Sequence, residues 1–196
     1  MNETHDTGKL IIICAPSGAG KTTIVKYLLS RNLSLQFSIS ATTRSIRSNE
    51  VDGRDYYFLD KEVFLHKIAS KEFVEFEEVY PGSFYGTLRS ELTRIWKTGN
   101  HIIFDLDVQG ALHLQRKYPE NSLSIFIAPP SIDVLEQRLI LRGTNTEQDL
   151  KTRLEKAKFE LNFSHNFDFI VVNGQLELAC AEVEQQVLNF LAKIKK

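Results

Sequence analysis

A chain of 196 residues, 42% hydrophobic and 25% charged, is long enough for one well-filled core and short for two independent ones. Its formal net charge of −1 excludes a nucleic-acid binder that works through bulk positive charge, so any anion site must come from local basic clusters. Two cysteines, Cys14 and Cys180, in no metal-type spacing exclude a disulfide framework and a zinc site, and are expected as small buried apolar residues.

In chain order, KLIIICA (9–15) reads as a buried strand and TTIVKYLLSR (22–31) as a helix. The segment from about 36 to 99 differs in character. FSISATTR, DYYFLD and EFVEFEEV are short strand candidates, with a helix-like DKEVFLHKIAS between two of them. SELTRIWKTG closes the segment as a helix, with Gly99 at its C-terminal end. HIIFDLD (101–107), SLSIFIA (122–128) and FDFIVVN (167–173) are further strands, and helices are expected over 109–118, 131–142, 146–162 and 176–195. RGTNTEQD (142–149) is a polar break read as a loop. Strands alternating with helices predict a parallel sheet covered on both faces, interrupted by a more antiparallel inserted lobe. The polar start MNETHDTG lacks the shape of a signal peptide, and no apolar run approaches the roughly 18 residues of a membrane span. A cytoplasmic protein without membrane or nucleic-acid partners is expected.

Between the first strand and the first helix stand Ala15, Pro16, Ser17, Gly18, Ala19, Gly20, Lys21 and Thr22, followed by Thr23. The pattern G-x-x-x-x-G-K-[ST] of a phosphate-binding loop is met except at its first position, where Ala15 stands. Gly18 and Gly20 permit a backbone whose successive N–H groups point at phosphate oxygens, and the helix adds its positive end. Lys21 supplies a mobile charge for β and γ phosphates, and Thr22 a hydroxyl for magnesium. ATP or GTP is the expected ligand, and the lack of an Asn-Lys-x-Asp guanine reader favours ATP. Asp105 and Asp107 end an apolar run two residues apart, so both face one side of a strand at the ligand-binding edge of an α/β sheet.

A second constellation lies in the inserted segment. Arg44 and Arg47 are close in a polar stretch, and arginine forks grip phosphate; Tyr56 and Tyr85 can add hydroxyls. Two arginines in a loop by themselves read as a solvated surface. Further along, Arg138 and Arg142 are four apart on one helical face and Arg153 lies on the next helix, which alone reads as surface ion pairing with Glu136, Glu147 or Glu155.

Ordered motifs decide between these readings. APSGAGKT (15–22), Ser38–Glu50, Gly53–Phe58, Phe73–Glu75, Phe84–Thr87, Asp105–Gly110, Pro129–Ser131, Arg138–Thr144 and Val172–Asn173 together resemble the guanylate kinase family over nearly the whole chain. The resemblance implies an α/β fold with a P-loop nucleoside-monophosphate-kinase core around a parallel sheet (8–35, 96–130 and 164–196). It further implies an inserted mixed α/β GMP-binding lobe (36–95) and a helical lid (131–163), all in one domain. It implies transfer of the γ-phosphate of ATP to GMP or dGMP with Mg2+ as cofactor, by a monomer or homodimer.

The residue roles follow from the same resemblance. Arg44, Arg47, Tyr56 and Tyr85 are assigned to the GMP phosphate. Ser40, Glu75, Thr87 and Asp107 are assigned to guanine, whose N–H donors suit carboxylates and whose O6 suits hydroxyls. Adenine presents the wrong pattern and is expected to be rejected. Arg138 and Arg153 are placed near the transferring phosphate, Arg142 toward ATP, Asp105 near magnesium beside Thr22, and Asn173 near adenine. Lys21, Arg44, Arg138 and Arg153 form the expected catalytic set. Departures from the family pattern are Ile46, Asn49, Ser83 and Asn145, with about one extra residue between Glu75 and Tyr85. Two rivals stand beside this reading. One is a guanylate-kinase-like protein-binding module, which the intact Lys21 and Thr22 oppose. The other is a small kinase with a sugar-phosphate acceptor, which the guanine-reading set opposes.

Overall fold

The computed structural model describes residues 8–141 and 147–193. The strands in chain order are β1 (Leu10–Cys14), β2 (Leu35–Phe37), β3 (Ala41–Thr42), β4 (Tyr57–Phe58), β5 (Phe73–Tyr80), β6 (Ser83–Leu88), β7 (His101–Leu106), β8 (Ser122–Ala128) and β9 (Phe169–Val172). The helices are α1 (Lys21–Ser30), α2 (Lys61–Ala69), α3 (Arg89–Trp96), α4 (Val108–Lys117), α5 (Ile132–Leu141), α6 (Glu147–Leu161) and α7 (Leu176–Ala192).

β1 is apolar at every position because it lies mid-sheet with both faces covered, in the order β2-β7-β1-β8-β9, all parallel. Its side chains alternate between two cores. Ile11 and Ile13 pack with Ile24 and Leu28 of α1 and Val183 of α7. Leu10, Ile12 and Cys14 pack with Leu92 and Ile95 of α3 and Ala111 and Leu114 of α4. Both cysteines are buried and free, as expected. Lys9 fastens the start of β1 to the end of α7: its ammonium donates to the carbonyls of Phe190 (2.6 Å), Leu191 (3.2 Å) and Lys193 (2.6 Å). These carbonyls lie at the C-terminal end of α7, where backbone acceptors run out of helical donors; that of Phe190 also accepts from the Lys193 N–H at 3.2 Å. Among the described residues no helix is long and apolar enough to cross a membrane.

The second sheet has the order β4-β3-β6-β5, antiparallel except for β3 against β4. Its core is small: Phe64 of α2 stacks on Phe73 at 4.4 Å and covers Ala41. FSISATTR is therefore not one strand. Phe37 ends β2 in the first sheet, Ser38 to Ser40 cross over, and Ala41 begins β3 in the second. The buried carboxylate of Glu91 sits at this crossing, accepting from the Ile39 N–H (2.9 Å), the Tyr57 hydroxyl (3.0 Å) and the Arg94 guanidinium (2.6 Å). Burial pushes its pKa up, but Arg94 and the other donors outweigh this and hold it below the usual range.

β6 is a strand that sequence pattern does not predict. SFYGTL carries a glycine at its centre, which weakens strand propensity. Pairing explains it: a Cβ on Gly86 would come 2.8 Å from the Glu75 carbonyl oxygen and 2.9 Å from the Phe76 Cβ on β5. The helix expected over 131–142 is observed to Leu141 and that over 176–195 to Ala192; Arg142 and residues 194–196 lie outside the described residues.

Candidate active site

The turn from β1 into α1 occupies residues 15–20. Gly18 (φ +94°) and Gly20 (φ +97°) adopt left-handed backbone that L side chains rarely enter. Ala15 has no such conformation and is 5% exposed at the strand end, so the first position of the motif tolerates a methyl group. Ala19 N–H closes the turn on the Pro16 carbonyl at 3.1 Å.

The turn is braced from behind. Asn173, buried at the end of β9, donates from Nδ2 to the Ala19 carbonyl at 2.8 Å, and Arg138 of α5 donates to the Asn173 carbonyl at 2.9 Å. A Cβ on Gly20 would stand 2.3 Å from Asn173 Nδ2. Gly20→Ala is therefore expected to lower stability by about 2–4 kcal/mol, from left-handed strain plus loss of this bond. Thermal melting checks it, and an unchanged midpoint would refute the tight fit.

In front of the loop lies a cavity of about 310 Å³. One wall is the loop itself: Ala15, Pro16, Ser17, Gly18, Gly20, Lys21, Thr22 and Thr23. The opposite wall comes from the second sheet and the segments leading into it and includes Ser40, Tyr56, Glu75 and Tyr85, while Asp105 in β7 and Asp107 just beyond it form the floor. The expected pairing of the two aspartates on one cleft is what the structure shows.

Lys21 Nζ lies 2.6 Å from Asp105 Oδ1 and donates to the Leu106 carbonyl at 3.1 Å. Burial opposes its charge, but Asp105 outweighs that and raises its pKa, so it stays an ammonium. Glu75 is 3% exposed and accepts from Thr87 Oγ1 at 2.6 Å. Burial, reinforced by the charge of Asp107, pushes its carboxyl up to about 7 against the Thr87 hydrogen bond. Asp107 caps α4 by accepting from the Gly110 N–H at 2.9 Å.

Arg44 is held beside the cavity. Its guanidinium donates twice to Glu50, at 2.6 and 2.7 Å, and lies 4.9 Å from the centre of the Tyr56 ring. The Arg44 hydrogen bonds hold the Glu50 carboxyl down at about 2, against the opposing effect of burial. Tyr56 in turn meets Tyr85 edge to face at 6.0 Å. From α6, Arg153 donates to Ser17 Oγ at 2.9 Å, touching the loop directly.

The cavity lining thus brings together most of the predicted residues. Ala19, Arg44, Thr87, Arg138 and Asn173 stand behind that lining. Arg47 is exposed, its N–H on Glu50, and Arg142 lies outside the described residues. Sequence reading missed Glu77, Val79, Tyr80, Lys156 and Glu160 in the lining. Glu160 is buried, and burial raises its pKa despite Lys156 nearby at 3.7 Å. The signal available was spacing: Arg153, Lys156 and Glu160 share one face of a helix. Glu50, the partner of Arg44, closes the Ser38–Glu50 motif.

A glycine-rich loop at the carboxyl edge of a parallel sheet, with a lysine facing a pocket of carboxylates and hydroxyls, defines a nucleotide kinase. Comparison with known proteins agrees in detail. The guanylate kinase family profile matches residues 7–189. Guanylate kinase of Bacteroides fragilis is 46% identical over 189 residues, covering 95% of this chain and 93% of the relative. That of Porphyromonas gingivalis is 47% identical over 186 residues, covering 94% and 99%. The crystal structure of guanylate kinase from Anaplasma phagocytophilum superposes with a TM-score of 0.78 at 30% identity, covering 96% of this chain and 89% of that one. The chain belongs to the guanylate kinase family and is an ATP:GMP phosphotransferase, as the sequence motifs led one to expect.

Proposed function

We propose that the loop wall of the cavity holds ATP, that the lobe wall holds GMP or dGMP, and that the γ-phosphate passes in line between them. The observation that carries this reading is the single cavity lined by both Lys21 with its loop and the guanine-type set Ser40, Glu75 and Asp107. The division into core 8–35, 96–130 and 164–196, acceptor lobe 36–95 and lid 131–163 shifts at both ends of the lobe, because β2 through Phe37 pairs with β7 and α3 packs Leu92 and Ile95 into the core.

The loop N–H groups of residues 15–23 cradle the ATP phosphates. Lys21 neutralises charge as it develops on the transferring group, joined by Arg153, with Arg142 toward ATP; Arg138, which here donates to the Asn173 carbonyl behind the loop, joins them only on leaving that carbonyl. Arg44, Arg47, Tyr56 and Tyr85 orient the acceptor phosphate, Arg44 already immobilised by Glu50. No general base is required, because a phosphate oxyanion is itself nucleophilic. Glu75 and Asp107 accept from guanine N1–H and the 2-amino group, while Ser40 donates to O6 and Thr87, whose one hydroxyl hydrogen is on Glu75 at 2.6 Å, orients that carboxylate toward the base. Asn173 Oδ1 is buried with no hydrogen-bond partner among the described residues, and is the acceptor assigned to the adenine amino group.

Thr22 and Asp105 line the same cavity and offer hard oxygen donors suited to magnesium. Among the described residues no three acidic, histidine or cysteine side chains form a metal cage, which fits an ion ligated mainly by water and substrate phosphates. Bound magnesium would supply charge neutralisation on the β and γ phosphates. Closure of lobe and lid around the substrates excludes water and suppresses hydrolysis. With ATP and GMP as small-molecule substrates, the reading places the protein in the cytoplasm.

The test is ADP release with magnesium–ATP and GMP, dGMP, AMP, IMP or UMP. Turnover is expected with GMP and dGMP and strongly reduced with AMP. Absent turnover with GMP would overturn the reaction, and equal rates with GMP and AMP would overturn the guanine assignment.

A further inference from the structure

One face of α6 touches both walls of the cavity. Arg153 donates to Ser17 on the ATP loop, and Lys156, one turn later, places its ammonium 4.6 Å from the centre of the Tyr80 ring on the lobe. Lys156 is oriented by Glu160, one further turn along, at 3.7 Å. Tyr80 owes its position to an irregularity in β5: the register against β6 shifts between Glu78 and Tyr80. A bulge turns the local strand and re-aims side chains, and here it brings Val79 and Tyr80 into the cavity lining. The shift falls in the stretch where the sequence carries about one residue more than the family pattern.

We propose that Lys156 and Tyr80 form a latch between α6 and the acceptor lobe, so that binding at one substrate wall strengthens binding at the other. Both are positioning residues. The latch rests on the assignment of ATP to the loop and GMP to the lobe. A contact made only when the lobe and α6 approach each other stabilises the approached state. Any ligand that favours that state then gains affinity from the other, by the same factor in both directions.

Calorimetric titration of GMP, with and without magnesium and a non-hydrolysable ATP analogue, measures that factor. In Lys156→Met and Tyr80→Leu it is expected to fall about two- to five-fold, the strength of a partly exposed cation–ring contact. The double variant falls no further, because the two side chains act as one unit. Lys156→Arg and Tyr80→Phe keep the cation and the ring and retain the original factor. A wild-type factor in Tyr80→Leu overturns the latch. Failure of the unmodified protein to bind GMP overturns instead the site assignment beneath it. Where Tyr80→Leu does not fold, Lys156→Met against Lys156→Arg makes the same comparison.

Discussion

Replacing Lys21 with alanine is expected to lower kcat by about two to four orders of magnitude while GMP affinity changes little. Lys21 stands at the first turn of α1, fixed over the cavity floor by Asp105 at 2.6 Å and the Leu106 carbonyl at 3.1 Å. Its charge is worth most where negative charge grows during transfer, so its removal affects the transition state more than the bound ground state. GMP contacts the opposite wall and does not depend on it. The substitution also strips Asp105 of its counter-ion, which lowers stability of the substrate-free protein; a melting curve separates that cost from the kinetic one. Single-turnover rates with saturating ATP and GMP provide the check, and an unchanged rate would refute the catalytic role.

Glu75→Gln is expected to cut kcat/KM for GMP by about 10²–10⁴-fold, because guanine donors would face an amide that presents N–H groups of its own. The same change should stabilise the empty protein at high pH. The folded-state pKa of Glu75, about 7, lies above its ordinary value of 4.5. Its contribution to stability is therefore fully present below about 4.5 and lost as pH rises through 7. At pH 8 the buried charge costs roughly 3 kcal/mol, which glutamine avoids; at pH 4 the two proteins should melt alike.

Binding follows the opposite course. Guanine needs the ionised acceptor, so affinity is expected to weaken as pH falls below 7. Guanosine is the better probe for this titration, since the phosphate of GMP titrates near pH 6. Flat guanosine affinity between pH 6 and 8 would contradict the assignment of Glu75 to guanine. An unchanged kcat/KM for GMP in Glu75→Gln would contradict it more directly.

Much of this site was legible before any coordinates. The order strand, Ala15–Thr22, helix is a local signal, because glycine at positions 18 and 20 and the lysine after them serve the same backbone turn. Asp105 and Asp107 were legible for the same reason: strand period two puts them on one side whatever surrounds them. The five buried residues of β1 announced a covered parallel sheet, since only a strand buried on both faces is apolar throughout.

What local pattern does not carry is partnership between distant segments. That Asn173 braces Ala19 and that Glu91 ties the crossing near Ile39 to α3 depend on where the chain returns after many tens of residues. β6 is not legible locally because its glycine is explained by β5, nor is the reach of Lys156 to Tyr80, because a bulge re-aims the ring. The sequence by itself determined the chemistry available, since residue type and short-range spacing set which groups share a turn or a face. Only the tertiary structure decided which of those groups are buried, paired or poised. The elevated pKa of Glu75 shows why: it arises from desolvation and from Asp107, neither of which exists until two sheets close around one cavity.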